Sequence, residues 1–314
     1  MPNDRCLSCL NEIAIRAIEL STNDTNKREL FIKEIKEKIK RDFSEIKLPD
    51  YSTELFAVIA KETGVDDPFL EIKKESNQFF IDLVPKIIDS FEGLFVKDII
   101  YKLFLYSIAA NMVDFSTGGH SVDLQQIADT IIHFPDEGLA IDDFNKLYEI
   151  INNSKKIIFL SDNCGEVVID NLFVEFLTGF KNKEVYLGLK GSPVANDCMV
   201  DDFYRDKLPN NATEIFSVSN SFGYNLDQSS DRFKELLLEA DLLIAKGQSN
   251  YETTLNNLVR HPNQQFPPIF CVLRTKCQII TDHLGVPLGS NVIKQMYPLK
   301  EEARKSLTEI IDCK

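Results

Sequence analysis

The sequence predicts an α/β protein: a mostly parallel sheet covered by helices on both faces, preceded by an all-α helical region. Three observations lead there. From residue 153 onward short β-rich runs alternate with helical stretches, the pattern of strand–crossover–strand units. Residues 1–152 read as helices alone. Glycine is also uneven, with 5 of 13 in residues 1–152, as expected of helices joined by short turns. We therefore divide the chain into a helical domain, 1–152, and an α/β domain, 153–314.

In the first region, Leu10, Ile13, Ala14, Ala17 and Ile18 place a helix over Cys6–Leu20. Lys27–Phe43 follows, with Leu30, Phe31, Ile35 and Ile39 on one face. Ser52 is placed to cap a helix that Gly64 stops. Pro68 starts another, running through Phe80 toward Val84. A long apolar helix is expected over Phe91–Asp114, ending before Ser116-Thr117-Gly118-Gly119-His120. Val122–His133 and Ile141–Asn152 complete the region. In the second, strands are expected at Ile157–Ser161, Val185–Leu189, Thr213–Val218, Leu242–Lys246 and Ile269–Leu273. Helices are expected at Val167–Gly179, Val200–Lys207, Ser230–Ala240 and Tyr251–Val259, with a last one at Lys300–Ile311.

Composition narrows the function. The 314 residues are 44% hydrophobic and 27% charged, and no apolar run approaches the roughly 20 residues of a membrane helix. The N-terminus has no apolar signal segment. Seven scattered cysteines, an odd number, point to free thiols in a reducing cytoplasm. A net charge of −14 argues against nucleic acid. The charge is uneven: 17 basic and 28 acidic residues in 1–152, against 18 and 21 in the remainder. The nearly neutral half suits an anionic ligand better, and the acidic half reads plainly as a solvated helical surface. Neither a membrane nor a protein partner is expected.

The residues after the expected strands are polar in an uncommon way. Asp162-Asn163-x-Gly165-Glu166 follows the first, and Lys190-Gly191-Ser192-Pro193-x-x-Asn196-Asp197-x-x-x-Asp201 the second. Lys246-Gly247-Gln248-Ser249-Asn250-Tyr251-Glu252 follows the fourth, and Arg274-Thr275-Lys276-Cys277 the fifth. In a parallel sheet these loops converge on one edge. Asp162, Asn163 and Asp197 form an all-oxygen donor set of charge −2, suited to Mg²⁺ or Mn²⁺. Lys246 and Lys276 could neutralise a substrate phosphate, helped by backbone N–H groups near Gly191 and Gly247. Asp201 or Glu166 could orient or deprotonate a water. Each feature has a plainer reading: Asp162 as a helix cap, Asn196-Asp197 as a turn, Lys246 as a solvated strand end, Asn111 and Asp114 as a helix exit. Four such loops on one edge outweigh the plain readings taken singly. Cys6-x-x-Cys9 with Cys277 offers three thiols for zinc or redox chemistry, against the plainer reading of buried thiols. Gly-x-Ser-x-Gly, Gly-x-Gly-x-x-Gly and Walker A motifs are absent from the sequence, which argues against the usual serine-hydrolase, dinucleotide and nucleoside-triphosphate chemistries.

Together these motifs resemble the damage-control phosphatases, a metal-dependent family that includes acidic residue methyltransferase-like proteins. The match also takes in Asp-Pro-Phe-x-x-x-Lys-x-x-Ser-Asn (Asp67–Asn77), Ala-Asn-Met-Val-Asp (Ala110–Asp114), and the Cys6/Cys9 and Lys276-Cys277 motifs of a stand-alone microbial subfamily. The resemblance implies a Rossmann-like three-layer α/β/α domain preceded by an all-α helical domain. It implies Mn, Co, Ni or Mg held by Asp162, Asn163 and Asp197. Substrate contacts would come from Lys246, Gly247, Gln248, Asn250, Glu252 and Lys276, with Asn111 and Glu166 nearby, and catalysis from Asp162, Asp197 and Asp201. The implied substrate is a small phosphorylated metabolite, such as a sugar phosphate. Cys198 stands where the subfamily usually has a small residue, often Ala. Two other readings compete: a non-catalytic metal and sugar-phosphate binding module, and an S-adenosylmethionine-dependent carboxyl methyltransferase. No glycine-rich loop supports the latter.

Overall fold

The computed structural model describes residues 4–43, 48–111 and 124–298. Six helices come first: α1 (Asp4–Ser21), α2 (Thr25–Asp42), α3 (Leu48–Thr63), α4 (Leu70–Asp89), α5 (Val96–Ala110) and α6 (Leu124–His133). The α/β part runs β1 (Ile141–Asp142), α7 (Phe144–Asn153), β2 (Lys156–Leu160), α8 (Glu166–Lys181), β3 (Glu184–Lys190), α9 (Val200–Arg205), β4 (Glu214–Ser219) and α10 (Asp231–Glu239). It continues with β5 (Leu242–Lys246), α11 (Gln248–Arg260), β6 (Ile269–Arg274), α12 (Gln278–Leu284) and β7 (Asn291–Tyr297).

The seven strands form one sheet in the order β1-β7-β6-β5-β2-β3-β4. All pairs are parallel except β6 with β7. The central strands are continuous apolar runs because both faces are covered. Alternate residues go to opposite cores. Ile157, Phe159, Leu242 and Ile244 pack under α4, α5 and α8; Ile158, Leu160, Leu243 and Ala245 pack under α10 and α11. The result is three layers. A third core joins α1, α2 and α3 to Phe69 and Ile72 at the start of α4, and takes in Ala195 from the loop after β3. The helical cap therefore sits on that loop. Phe56 of α3 meets Phe222, from the loop after β4, at 5.8 Å between ring centroids.

From β2 the chain steps to β3 and β4 on one side and returns to β5, β6 and β7 on the other. The C-terminal ends of β2 and β5 therefore flank the point where strand order reverses, where open α/β sheets hold their ligands.

Several elements differ from the sequence reading. Ile141-Asp142 is a strand paired with Val292-Ile293, not the start of a helix. Asp142 then accepts the Phe144 N–H at 2.9 Å and starts α7. The helix expected from Phe91 begins at Val96, after a turn in which Gly93 holds φ +76°. α4 runs past Val84, through Pro85, to Asp89. Neither α12 nor β7 was expected. Asp114, His120 and the helix expected at Lys300–Ile311 lie outside the described residues.

Candidate active site

Two loops build the floor. β2 ends in Ser161-Asp162-Asn163, and the loop after β3 returns beside it. Asn163 and Asp197 pair as an isolated antiparallel bridge. The Cys164 N–H donates to Asn196 O at 2.9 Å, and the Cys198 N–H to Asp162 O at 2.8 Å. The backbone thus brings Asp162, Asn163 and Asp197 together before any ligand is considered. Ala195, two residues before Asp197, holds φ +46°, uncommon for a residue with a side chain.

Asp162 is 8% exposed and Asp197 4%. Asp162 Oδ2 accepts from Asn111 Nδ2 and Asn163 Nδ2, each at 3.1 Å. Asp197 Oδ2 is buried and has no hydrogen bond; Lys190 Nζ stands 3.6 Å away. Burial, then the charges of Asp197 and Glu166, push the Asp162 carboxyl well above the usual range. Burial pushes Asp197 up as well, against the pull of Lys190 and Lys73.

Helix α4 braces the floor from behind. Asn77 Oδ1 accepts the Gly165 N–H at 2.6 Å, and its Nδ2 donates to Asp206 at 2.7 Å. Gly165 holds φ +84°, and a Cβ there would come within 2.9 Å of the Phe80 ring. The fully buried Lys73 pairs with Asp67 at 3.0 Å and Asp202 at 3.1 Å. The Asp67–Asn77 motif is thus a bracket between the cap, the Asp162 turn and α9.

Lys246 is 0% exposed and committed. Its Nζ donates to Glu166 and Ser107 and lies 3.7 Å from Asp170. Burial opposes its charge, but Asp170 and Glu166 outweigh burial and raise its pKa. Its expected place as a phosphate clamp is therefore filled by protein acceptors. Gly247 serves Asp162: at φ +80°, a Cβ there would lie 2.0 Å from Asp162 Oδ2, so only glycine admits the carboxylate. Asn250 Nδ2 donates to Lys246 O at 2.7 Å and fastens the first turn of α11. Gln248 joins two loops, donating to Glu252 at 3.2 Å and accepting the Lys276 N–H at 3.1 Å. Lys276 is exposed at the rim, and its Nζ reaches Asn111 O at 2.5 Å.

Asp201, the expected acid, is exposed on α9 and outside this network, whereas its neighbour Asp202 is fully buried. Among the described residues, Cys164, Cys198 and Asp202 bring three potential ligand atoms within 4.8 Å. Asp202 is already answered by Lys73, Arg205 and the Met199 N–H, so a cation would have to displace a fixed charge. Cys6, Cys9 and Cys277 form no comparable group. Desolvation, then the charges of Glu12, Cys277, Cys6 and Glu252, push the Cys9 thiol up, which places the start of α1 near the rim. Sequence reasoning gave no site role to Asp170, Lys73 or Lys190, although the two lysines stand in motifs it singled out. Glu166 and Asp170, one turn apart in the mostly apolar first half of α8, were a readable sign of an inward-facing acidic pair.

The fold and the edge define a Rossmann-like α/β protein with an oxygen-rich site, bordered by lysines, at the reversal of its sheet. Residues 3–292 match the damage-control phosphatase ARMT1-like domain, and the chain belongs to that family. It is 30% identical to damage-control phosphatase PH1575 of Pyrococcus horikoshii over 91% of this chain and 95% of the relative. A damage-control phosphatase of Archaeoglobus fulgidus is 28% identical over 74% of this chain and 76% of its own. The crystal structure of the DUF89 family protein PH1575 from P. horikoshii superposes with a TM-score of 0.78 and 26% identity, covering 94% of this chain and 98% of the other.

Proposed function

We propose that this chain is a divalent-metal-dependent phosphatase acting on small phosphorylated metabolites, sugar phosphates or damaged phosphometabolites. Family membership supports the phosphatase class. The observation that carries the metal reading is the carboxylate pair on the floor: Asp162 and Asp197 are both buried, and Asp197 Oδ2 has no hydrogen bond. Buried carboxylates left short of positive charge are costly unless a cation answers them. Their hard oxygen donors, with the amide oxygen of Asn163, fit Mn²⁺, Co²⁺, Ni²⁺ or Mg²⁺. The Cys164, Cys198 and Asp202 group fits less well, because Lys73 and Arg205 already balance Asp202.

Asp162, Asn163 and Asp197 would hold the ion, which when bound polarises the phosphoryl group and lowers the pKa of a coordinated water. Asn111, hydrogen-bonded to both Asp162 and Glu166, orients the floor. Lys276 at the rim meets the phosphate, as do the first N–H groups of α11. Gln248 and Glu252 border the remainder of the substrate. Asp197, with an oxygen free of hydrogen bonds, is the floor group placed to handle the proton. The free thiols of the six described cysteines suit a reducing, cytoplasmic setting.

The test is phosphate release from p-nitrophenyl phosphate with and without MnCl₂. Asp197→Asn should lose the metal-dependent rate by about 100-fold or more, about 2.7 kcal/mol of barrier, and still melt cooperatively. Unchanged turnover removes Asp197 from the mechanism. Binding of the ester without release by wild type would point to a binding module.

A further inference from the structure

We propose that Lys190 is the inner phosphate-contacting residue of this site, the role the sequence suggested for Lys246. This rests on the phosphatase reading above and deepens it. Three lysines border the floor, and their partners separate them. Lys246 is surrounded by Glu166, Ser107 and Asp170. Lys276 is exposed at the rim. Lys190, the last residue of β3, is 3% exposed. Among the described residues, its one hydrogen bond within 3.5 Å runs to Gly223 O, at 2.6 Å.

An ammonium carries three N–H donors, and burying donors without partners is unfavourable. Lys190 is thus a buried cation with donor capacity to spare. Beside it, 3.6 Å away, is the carboxylate oxygen of Asp197 that has no hydrogen bond. Two groups of opposite charge thus share one edge of the floor as an ion pair at 3.6 Å, longer than a hydrogen bond, each with bonding capacity left for a ligand. A ligand that carries oxygens for Lys190 and meets Asp197 through a cation would complete both. A phosphate ester with a divalent ion has that chemistry.

The seat of Lys190 supports the same assignment. The Gly223 loop is docked on the opening turn of α11. A Cβ on Gly223 would lie 2.4 Å from Thr253 Oγ1 and 2.6 Å from Ser249 O, and the Tyr224 N–H donates to Thr253 Oγ1 at 3.0 Å. Lys190 therefore lies beside the N-terminal turn of a 13-residue helix, whose unpaired N–H groups favour an anion. The bland alternative is that Lys190 only pins the loop after β4.

Two variants separate these roles. Lys190→Gln keeps a donor for Gly223 O and removes the charge; Lys190→Arg keeps the charge. Full-length protein is titrated with orthophosphate in MnCl₂ by calorimetry, with Mn²⁺ alone titrated separately, and KM and kcat are measured on p-nitrophenyl phosphate. Lys190→Gln should weaken phosphate binding and raise KM by about 10- to 100-fold, the worth of one charge-assisted hydrogen bond. Its Mn²⁺ affinity should stay within a few-fold of wild type, and Lys190→Arg should recover most of the phosphate affinity. Unchanged phosphate affinity in Lys190→Gln overturns the assignment. So does a parallel loss of Mn²⁺ and phosphate binding, which would show that Lys190 acts through Asp197. A wild-type protein that binds no phosphate overturns the phosphatase reading, and this assignment with it.

Discussion

Two carboxylate sets share the C-terminal edge of β2 and β5, and they differ in what answers their charge. Glu166 and Asp170 are fully buried, and Lys246 lies between them with Ser107 and Ser161 completing the hydrogen bonds. Asp162 and Asp197 are nearly as buried, yet no ammonium bonds either of them within 3.5 Å among the described residues. The nearest fixed charge recorded for Asp197 is Lys190 at 3.6 Å. Burial alone thus does not mark a functional carboxylate; a set whose oxygens all accept hydrogen bonds is scaffold, and one with a buried oxygen left unbonded is a site prepared for a ligand.

The largest expected effect breaks the fully hydrogen-bonded set. Lys246→Met leaves Glu166 and Asp170 buried together without a counter-charge, which should cost about 3–5 kcal/mol of stability. Urea unfolding of metal-free protein measures it. A loss below about 1 kcal/mol would mean that the network is not scaffold and that Lys246 is available to substrate after all. A smaller effect sharpens the other side. Gly247→Ala forces a side chain to φ +80° and sets a Cβ against Asp162 Oδ2. The expected cost is about 1–3 kcal/mol of stability, together with weaker Mn²⁺ binding by calorimetry as Asp162 is displaced. Normal Mn²⁺ affinity in this variant would separate Asp162 from the ion.

The same contrast explains what could be read from the sequence. The central strands were legible because strands covered on both faces become unbroken apolar runs, as Leu242–Ala245 shows. β7 was not, since Lys294 and Gln295 interrupt an edge-side strand that pairs antiparallel. β1 was not, because two residues carry no periodicity. Asp162, Asn163, Asp197 and Gly247 stood out because polar residues and glycine crowd the turns after those strands. Glu166 stood out as well, but not as the partner of Lys246. A lysine at a strand end reads alike whether it faces water or an acid on the next helix. Asp201 and Asp202 are adjacent, and six residues of α9 are too short a helix to show which one turns inward.

The smallest effect tests the link between the under-bonded carboxylates and a metal through pH. Burial raises Asp162 and Asp197 in the folded protein, and the charges of Asp197 and Glu166 raise Asp162 further. A raised carboxyl keeps its proton in the folded chain where the unfolded chain has already lost it. These groups therefore lower the stability of metal-free protein as pH rises through and above the ordinary carboxylate range. Asp170, pushed up by burial to about 6, adds to that trend in metal-free protein. It should drop out of a metal-minus-apo difference, because its charge is met by Lys246. A divalent ion binds the ionised pair, so the rise in Tm on adding MnCl₂ should grow with pH and level off once both carboxyls have ionised. Between about pH 5 and about pH 8 the gain should change by several degrees, equivalent to about 1–2 kcal/mol. Asp197→Asn should give a smaller and flatter gain. A Mn²⁺-dependent shift that is the same at every pH, in wild type and variant alike, would place the ion elsewhere and leave the charge imbalance at this edge without its ligand.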